Sequence, residues 1–111
     1  MSSLSTHVLD TMHGCPAAGL AIVLVGPAGE VARGVTNADG RCPGLVGSAL
    51  PAGRYTLSFA VAAYFRGKQV VLPEPPFLDE VTIAFGIAAD GGHYHVPLLV
   101  SPFAYSTYRG S

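Results

Sequence analysis

The sequence predicts an all-β fold: an antiparallel β-sandwich of seven or eight short strands with one short helix. Two observations favour it. Several segments of strand length alternate apolar and polar residues, and Gly, Pro or Asp-Gly turn signals separate them at hairpin spacing. The chain has 111 residues, including 14 Gly and 9 Pro, so we expect a single domain of ordinary size over residues 1–111.

Three segments in the first half of the chain have the length and pattern of strands. They are residues 4–10 and 30–36, which alternate, and the continuous apolar run of residues 19–25. On the first segment His7 shares a face with Ser5 and Leu9. Residues 37–40 read Asn-Ala-Asp-Gly, which is typical of a tight turn, and we expect Arg41 to begin another short strand directly after it.

The second half predicts the remaining strands and the helix. The strand candidates are residues 54–61, 81–86 and 93–100, and a short one at residues 105–108. Residues 62–68 are the one plausible helix, which ends at Gly67. Residues 44–53 and the proline-rich residues 73–76 are expected to be loops, because proline can neither donate to a ladder nor continue a helix.

The segment of residues 93–100 has two faces of different character. Its apolar core face consists of Tyr94, Val96, Leu98 and Val100. The opposite face carries His93 and His95 besides Pro97 and Leu99, and packing alone does not require two imidazoles there. The last four residues, Tyr-Arg-Gly-Ser at 108–111, would place a polar, cationic tip beside the histidines. We expect this region to form half of a functional site.

The composition and net charge argue against a membrane protein and against a nucleic-acid-binding protein. Half of the residues are apolar, 12% are charged, and the mean hydropathy is +0.43, which is more apolar surface than one small subunit can bury. Because no run approaches the length of a membrane-spanning helix, the surplus predicts an oligomer rather than a membrane protein. A net charge of −1 with six scattered Lys and Arg argues against nucleic acid.

The compartment is predicted from two further features. No signal-peptide pattern is visible at the start of the sequence. Cys15 and Cys42 have no metal-like spacing, and we expect both to stay reduced in a cytoplasmic protein.

Four motifs resemble one family over nearly the whole chain. They are Ser5-Thr6-His7-Val8-Leu9-Asp10-Thr11, Gly14-Cys15-Pro16-Ala17, Thr36-Asn37-Ala38-Asp39-Gly40-Arg41, and the tail His93-Tyr94-His95-Val96-Pro97-Leu98-Leu99 with its terminal Tyr-Arg-Gly-Ser. Together they resemble the 5-hydroxyisourate hydrolases, the enzymatic branch of the transthyretin family. The resemblance implies a transthyretin-like sandwich in a homotetramer around a central channel. It also implies cofactor-free hydrolysis of 5-hydroxyisourate to 2-oxo-4-hydroxy-4-carboxy-5-ureidoimidazoline in urate degradation.

The resemblance also implies the site residues. His7 and His95 match the two active-site histidines, one of which is a candidate base for water, and the residues alone leave open which one. Arg41 would orient a carbonyl-rich substrate and stabilise an oxyanion. Ser111 would bind or position water rather than act as a nucleophile. The substrate-binding residues implied by the terminal motif are Tyr108, Arg109 and Gly110.

Two other functions are weighed against this one. A transthyretin-type carrier would use the same channel to bind a small ligand, but the carrier branch lacks the histidine, arginine and terminal-motif set. A zinc-dependent cyclic amide hydrolase would use His7, His93 and His95 as ligands with an open fourth position. Because family members use the histidines directly, we expect no metal. His13 and the arginines at 54 and 66 are expected to be solvated surface residues.

Overall fold

Ten strands and one α-helix lie in residues 2–45 and 49–110, the parts of the chain that the computed structural model describes. The strands are β1 (Ser2–Ser5), β2 (Val8–Asp10), β3 (Cys15–Pro16), β4 (Ala21–Gly26), β5 (Gly29–Val35), β6 (Gly53–Phe59), β7 (Val81–Ile87), β8 (Gly92–His95), β9 (Leu98–Val100) and β10 (Tyr105–Thr107). The helix α1 spans Val61–Gly67, and a short 3-10 turn spans Pro43–Leu45.

The two ends of the chain pair side by side in parallel. In β1–β8 Ser5 is the partner of His95, and in β2–β9 Asp10 is the partner of Val100, so both ladders share one register. The pair is interrupted opposite Pro97, which has no N–H to donate. There the Thr6 hydroxyl donates to the Val96 carbonyl at 2.7 Å. Counted as single strands, β1–β2 and β8–β9 reduce the ten strands to eight, within the predicted number.

The strands form two layers, which confirms the predicted sandwich. One layer has the order β10-β9-β2-β3, with β1–β8 continuing its central pair, and the other has the antiparallel order β5-β4-β6-β7. The two parallel ladders are the feature that strand periodicity did not predict. They are possible because the whole domain serves as the long connection that parallel strands need.

The core lies between the layers and follows the predicted alternation. On β6, Tyr55, Leu57 and Phe59 are at most 2% exposed. Leu98 and Val100 from the opposite layer are fully buried. Val61 was expected to continue the strand, but it begins α1, and that helix buries Phe65 against the core.

One local prediction is wrong. Arg41 does not begin a strand, because it makes a single antiparallel bridge to His7 and the chain then enters the 3-10 turn. His13 is exposed, as expected, but it is also bound to the fold: its Nδ1 lies 2.6 Å from Oδ2 of the buried Asp10, and its backbone N–H donates to Oδ1. Tyr64 of α1 donates to the same carboxylate at 2.8 Å, which ties the helix to β2.

Two findings bear on the chain's environment. None of the helices in the described ranges is long and apolar enough to cross a membrane. Cys15 is exposed, Cys42 is buried, and both are free thiols.

Candidate active site

His7 and Arg41 face each other at the junction of β1 and β2. They form an antiparallel bridge, and the Leu98 N–H donates to the His7 carbonyl at 2.9 Å, which fixes His7 beside β9. His95 is the register partner of Ser5. Ser5 precedes His7 by two residues and shares its strand face. The structure therefore brings His7, Arg41 and His95 to one side of the terminal strand pair.

The turn of residues 37–40 holds the Arg41 backbone beside β2. The Asn37 side-chain oxygen accepts the N–H groups of Asp39 at 2.9 Å and Arg41 at 3.1 Å. Gly40 has a φ of +74°, its carbonyl accepts the Val8 N–H at 2.8 Å, and a Cβ at this position would overlap the Val8 carbonyl. Only glycine fits this left-handed position so close to β2, so the turn presses Arg41 against the histidine strand.

The Asp39 carbonyl fixes the ring of His7. Nε2 of His7 donates to this carbonyl at 2.8 Å. Since a carbonyl can only accept, Nε2 carries a proton, and in the neutral ring the lone pair is on Nδ1. In the half-buried His7 ring, Nε2 is therefore bonded to the turn, and Nδ1 is not part of that bond.

His95 is kept neutral by its surroundings. Burial lowers the pKa of His95 below its ordinary value, and the neighbouring Arg41, His7 and His93 lower it further because each disfavours a positive charge on the ring. Its Nδ1 lies 2.8 Å from the Ser5 hydroxyl, and the described residues provide no hydrogen-bond partner for Nε2. An uncharged imidazole with an available Nε2 can accept a proton at neutral pH.

The tail closes over the His95 side of this group. Gly110 forms a bridge to His95, with the Gly110 N–H donating to the His95 carbonyl at 2.8 Å. Tyr108 is 60% exposed. Ser111, expected to position water, lies outside the described residues.

Arg109 lies on the other side of the tail. Its guanidinium stands 4.1 Å from the centroid of the Tyr94 ring, and it contacts the His93 carbonyl at 3.5 Å. Tyr94 belongs to the core face, so the structure places Arg109 away from the face that carries His7 and His95. Its contacts hold the tail in place.

Sequence reasoning missed two groups at this site. Ser5 lies between the imidazoles of His93 and His95, and the Asp39 carbonyl holds His7. The signal for Ser5 was present, since it shares a strand face with His7. What was missing was the strand register, which places Ser5 opposite His95.

The zinc alternative requires three converging imidazoles. Across residues 2–45 and 49–110, no three His, Cys, Asp or Glu side chains are grouped so as to hold a metal ion. Three of the ring nitrogens that would be ligands are engaged otherwise: Nε2 of His7 by a carbonyl, and both nitrogens of His93 by serines. This arrangement favours direct use of the histidines.

Known proteins are similar to this chain over its whole length. A family model described as the HIUase/Transthyretin family matches residues 4–110. A 5-hydroxyisourate hydrolase of Ralstonia nicotianae is 55% identical over 117 residues, covering 100% of both chains. The solved 5-hydroxyisourate hydrolase of Klebsiella pneumoniae superposes with a TM-score of 0.87 at 39% identity, covering 100% of both chains. Sea bream transthyretin in complex with thyroxine superposes with a TM-score of 0.84 at 31% identity, over 96% of this chain and 93% of that one.

Proposed function

The chain belongs to the HIUase/Transthyretin family, and we propose that it is the enzyme that hydrolyses 5-hydroxyisourate to 2-oxo-4-hydroxy-4-carboxy-5-ureidoimidazoline in urate degradation. The observation that carries this proposal is the juxtaposition of His7, Arg41 and a neutral His95. Full-length identity to relatives that bear this activity in their names supports it. The reaction needs no cofactor, because water is the nucleophile and the side chains supply the proton transfers.

We assign the role of general base to His95. Nε2 takes a proton from water as the water oxygen attacks a ring carbonyl. The same nitrogen then returns a proton to the ring nitrogen that leaves when the lactam C–N bond breaks. His95 suits both steps because its lowered pKa keeps it neutral before attack and makes Nε2 a ready donor once it has taken the proton from water. The new carboxylic acid ionises, which releases one proton per turnover.

In this scheme Arg41 stabilises the carbonyl oxygen of the substrate, and His7 binds the substrate ring. Negative charge develops on that oxygen during attack, and the Arg41 guanidinium would stabilise it. His7 lies directly across the bridge from Arg41 and would hold the substrate ring by a hydrogen bond from or to Nδ1. The turn of residues 37–40 holds the Arg41 backbone and the His7 ring before substrate arrives.

The tail completes the site in our proposal. Tyr108, Gly110 and Ser111 border the substrate, with Ser111 positioning water. Arg109 contributes indirectly, since its contact with Tyr94 anchors the segment. Gly110 lets the tail approach His95 closely because it has no side chain.

We further propose that the enzyme is a homotetramer in the cytoplasm. Strands β7 and β10 are outer strands of the two layers, and outer strands pair readily with another copy. Phe77 and Phe103 are 70% and 60% exposed and lie beside each other, a costly arrangement for a lone subunit. A cleft of about 490 Å³ between β7 and the tail is lined by Tyr108 and Arg109 but not by His7 or His95. The strand face that carries His7 and His95 is open in a single chain. This fits an active site that a second copy of the chain closes.

The test of this function is loss of the absorbance of freshly generated 5-hydroxyisourate. We expect the protein to accelerate its decay, Arg41→Gln to lose most of that acceleration, and the matched Arg54→Gln on an exposed part of β6 to keep it. Treatment with a chelator should change nothing, whereas a zinc hydrolase would stop. Binding of substrate without turnover would mean a carrier, and a stable monomer by light scattering would contradict the tetramer.

A further inference from the structure

A chain of hydrogen bonds connects His95 to the protein surface. The Ser5 hydroxyl lies 2.8 Å from Nδ1 of His95 and 2.9 Å from Nε2 of His93. The other nitrogen of His93, Nδ1, lies 2.6 Å from the Ser3 hydroxyl. His95 is half-buried and His93 is exposed, so the chain runs from the candidate base to solvent.

The single proton of the Ser5 hydroxyl couples the two rings. If Nδ1 of His95 donates to Ser5, then Ser5 donates to Nε2 of His93, and Nε2 of His95 keeps its lone pair. If the direction is reversed, Nε2 of His95 carries the proton instead. These two arrangements are the states that a general base needs before and after it takes a proton from water.

We propose that Ser5 and His93 form a proton relay for His95. The inference rests on the proposed function and deepens it by adding two residues. During attack, Nε2 of His95 takes a proton from water, its Nδ1 proton passes to Ser5, and the Ser5 proton passes to His93, which exchanges it with solvent. During ring opening the transfers reverse, and the proton on Nε2 goes to the leaving nitrogen.

The atoms balance over this cycle. The bond from the water oxygen to the ring carbon forms, the C–N bond breaks, and its electron pair stays on the nitrogen. One water proton reaches that nitrogen through His95, and the other remains on the new carboxylic acid, which ionises. The relay returns to its starting direction, so it carries no net proton.

The charges around His95 explain why a relay is useful. Arg41, His7 and His93 face His95, and each disfavours a positive charge on its ring. Arg109 adds a further cation near the His93 carbonyl. By passing its Nδ1 proton outward as Nε2 gains one, His95 works as base and acid without becoming an imidazolium beside these groups.

The first experiment removes the hydroxyl that joins the two rings. In Ser5→Ala we expect kcat to fall about tenfold or more while KM changes little. Ser5→Thr keeps a hydroxyl on a strand and should restore much of the rate. Ser58→Ala is the matched control, because Ser58 is also a half-buried strand serine bonded to a side chain, Thr82, but lies in the other layer. An unchanged kcat in Ser5→Ala would overturn the relay.

The second experiment removes the side chain of His93, the outer residue of the relay. His93→Ala leaves the β1–β8 backbone ladder intact because only an exposed side chain is lost. Its kcat should fall by a similar factor, and added imidazole should restore it in a saturable way while leaving the wild type unaffected. A full-rate His93→Ala, or a slow one that imidazole does not rescue, would contradict proton transfer through His93.

The third measurement does not depend on activity. In the long-range ¹H–¹⁵N spectrum of the imidazoles, resting His95 should carry its proton on Nδ1, and Ser5→Ala should shift it toward the Nε2-protonated tautomer. The same His95 tautomer in both proteins would overturn the role of Ser5. Since this readout needs no substrate, it separates failure of the relay from failure of the proposed function, which would appear as a wild type unable to accelerate decay of 5-hydroxyisourate.

Discussion

Gly110 packs directly on the imidazole of His95. A Cβ built at Gly110 would lie 2.6 Å from Cδ2 of the ring and 3.1 Å from Cβ and Cγ of His95. The Gly110 N–H donates to the His95 carbonyl, so the glycine backbone has little room to retreat. The position of the His95 ring therefore depends on a residue with no side chain.

Gly110→Ala should displace His95 without unfolding the protein. The φ of Gly110 is not in the left-handed region, so alanine costs little in the backbone and acts through the contact with the ring. A shift of about 1 Å in a reacting group can cost about 100-fold in rate, and we expect a loss of that order in kcat. Gly67→Ala, at a position with open space around it, is the matched control. Normal turnover of Gly110→Ala would mean that the ring is not held by this contact.

The pH profile should reveal the pKa of His95. Because burial and nearby cations lower this pKa below 6.5, the base form persists into mildly acidic solution, and the acidic limb of kcat/KM should have its midpoint below pH 6.5. Protonation below that midpoint removes the lone pair and stops the reaction. Arg41→Gln removes one of the opposing charges, so the limb of its residual activity should move to higher pH. A limb that moves to lower pH, or stays in place, would contradict the electrostatic coupling.

Asp10 should limit stability in acid. Burial acts to raise the pKa of its carboxyl, but hydrogen bonds from the His13 side chain and backbone and from Tyr64 outweigh burial and lower it below 3.8. Burial of Tyr64 raises the pKa of its hydroxyl, and the Asp10 carboxylate raises it further. Tyr64 therefore stays protonated and donates to Asp10. A lowered carboxyl pKa contributes stability that is present above pH 3.8 and is lost as the pH falls through the folded-state value.

Asp10→Asn tests this contribution. It should reduce the free energy of unfolding by about 2–4 kcal/mol near neutral pH, because all three donors lose a charged acceptor and the amide nitrogen that replaces one oxygen cannot accept a hydrogen bond. It should also flatten the loss of stability below pH 4. Chemical denaturation at several pH values measures both effects, and Asp90→Asn at an exposed turn is the control. Equal acid sensitivity of Asp10→Asn and wild type would show that other groups cause the loss.

The core was predictable from the sequence because burial has a period. Alternation at Tyr55, Leu57 and Phe59 describes the surface that each strand buries, and this pattern survives without knowledge of neighbours. Strand pairing has no such local signal. The parallel register that places Ser5 opposite His95 joins residues 90 apart, so the relay could not be read from periodicity.

The site shows the same division between local and long-range information. Asn37 and Gly40 act within one turn, and their residue types already predicted it. Asp10 and His13 lie three residues apart and could have been paired by spacing. Arg109 is predicted to bind the substrate, and its guanidinium lies over the ring of Tyr94, a contact that the motif did not predict. Motif membership does not specify on which side of the strand a residue points.

Deleting residues 108–111 should separate the tail's catalytic part from its structural part. The truncated chain loses the Arg109–Tyr94 contact and the Gly110–His95 hydrogen bond, together worth about 1–3 kcal/mol. The strands that bury the core remain, so β-sheet circular dichroism and cooperative unfolding should persist at a slightly lower midpoint. Hydrolysis of 5-hydroxyisourate should be nearly abolished, because the His95 ring loses its packing surface and the site loses Tyr108 and Ser111.

Two single variants divide that loss. Ser111→Ala should lose less activity than the deletion, since the rest of the tail remains. Arg109→Gln should lower stability, because the cation on Tyr94 is removed, and should impair kcat only to the extent that the tail loosens over His95. A larger rise in KM than fall in kcat in Arg109→Gln would instead show that the guanidinium contacts substrate, and would return Arg109 to the binding role that the terminal motif first suggested.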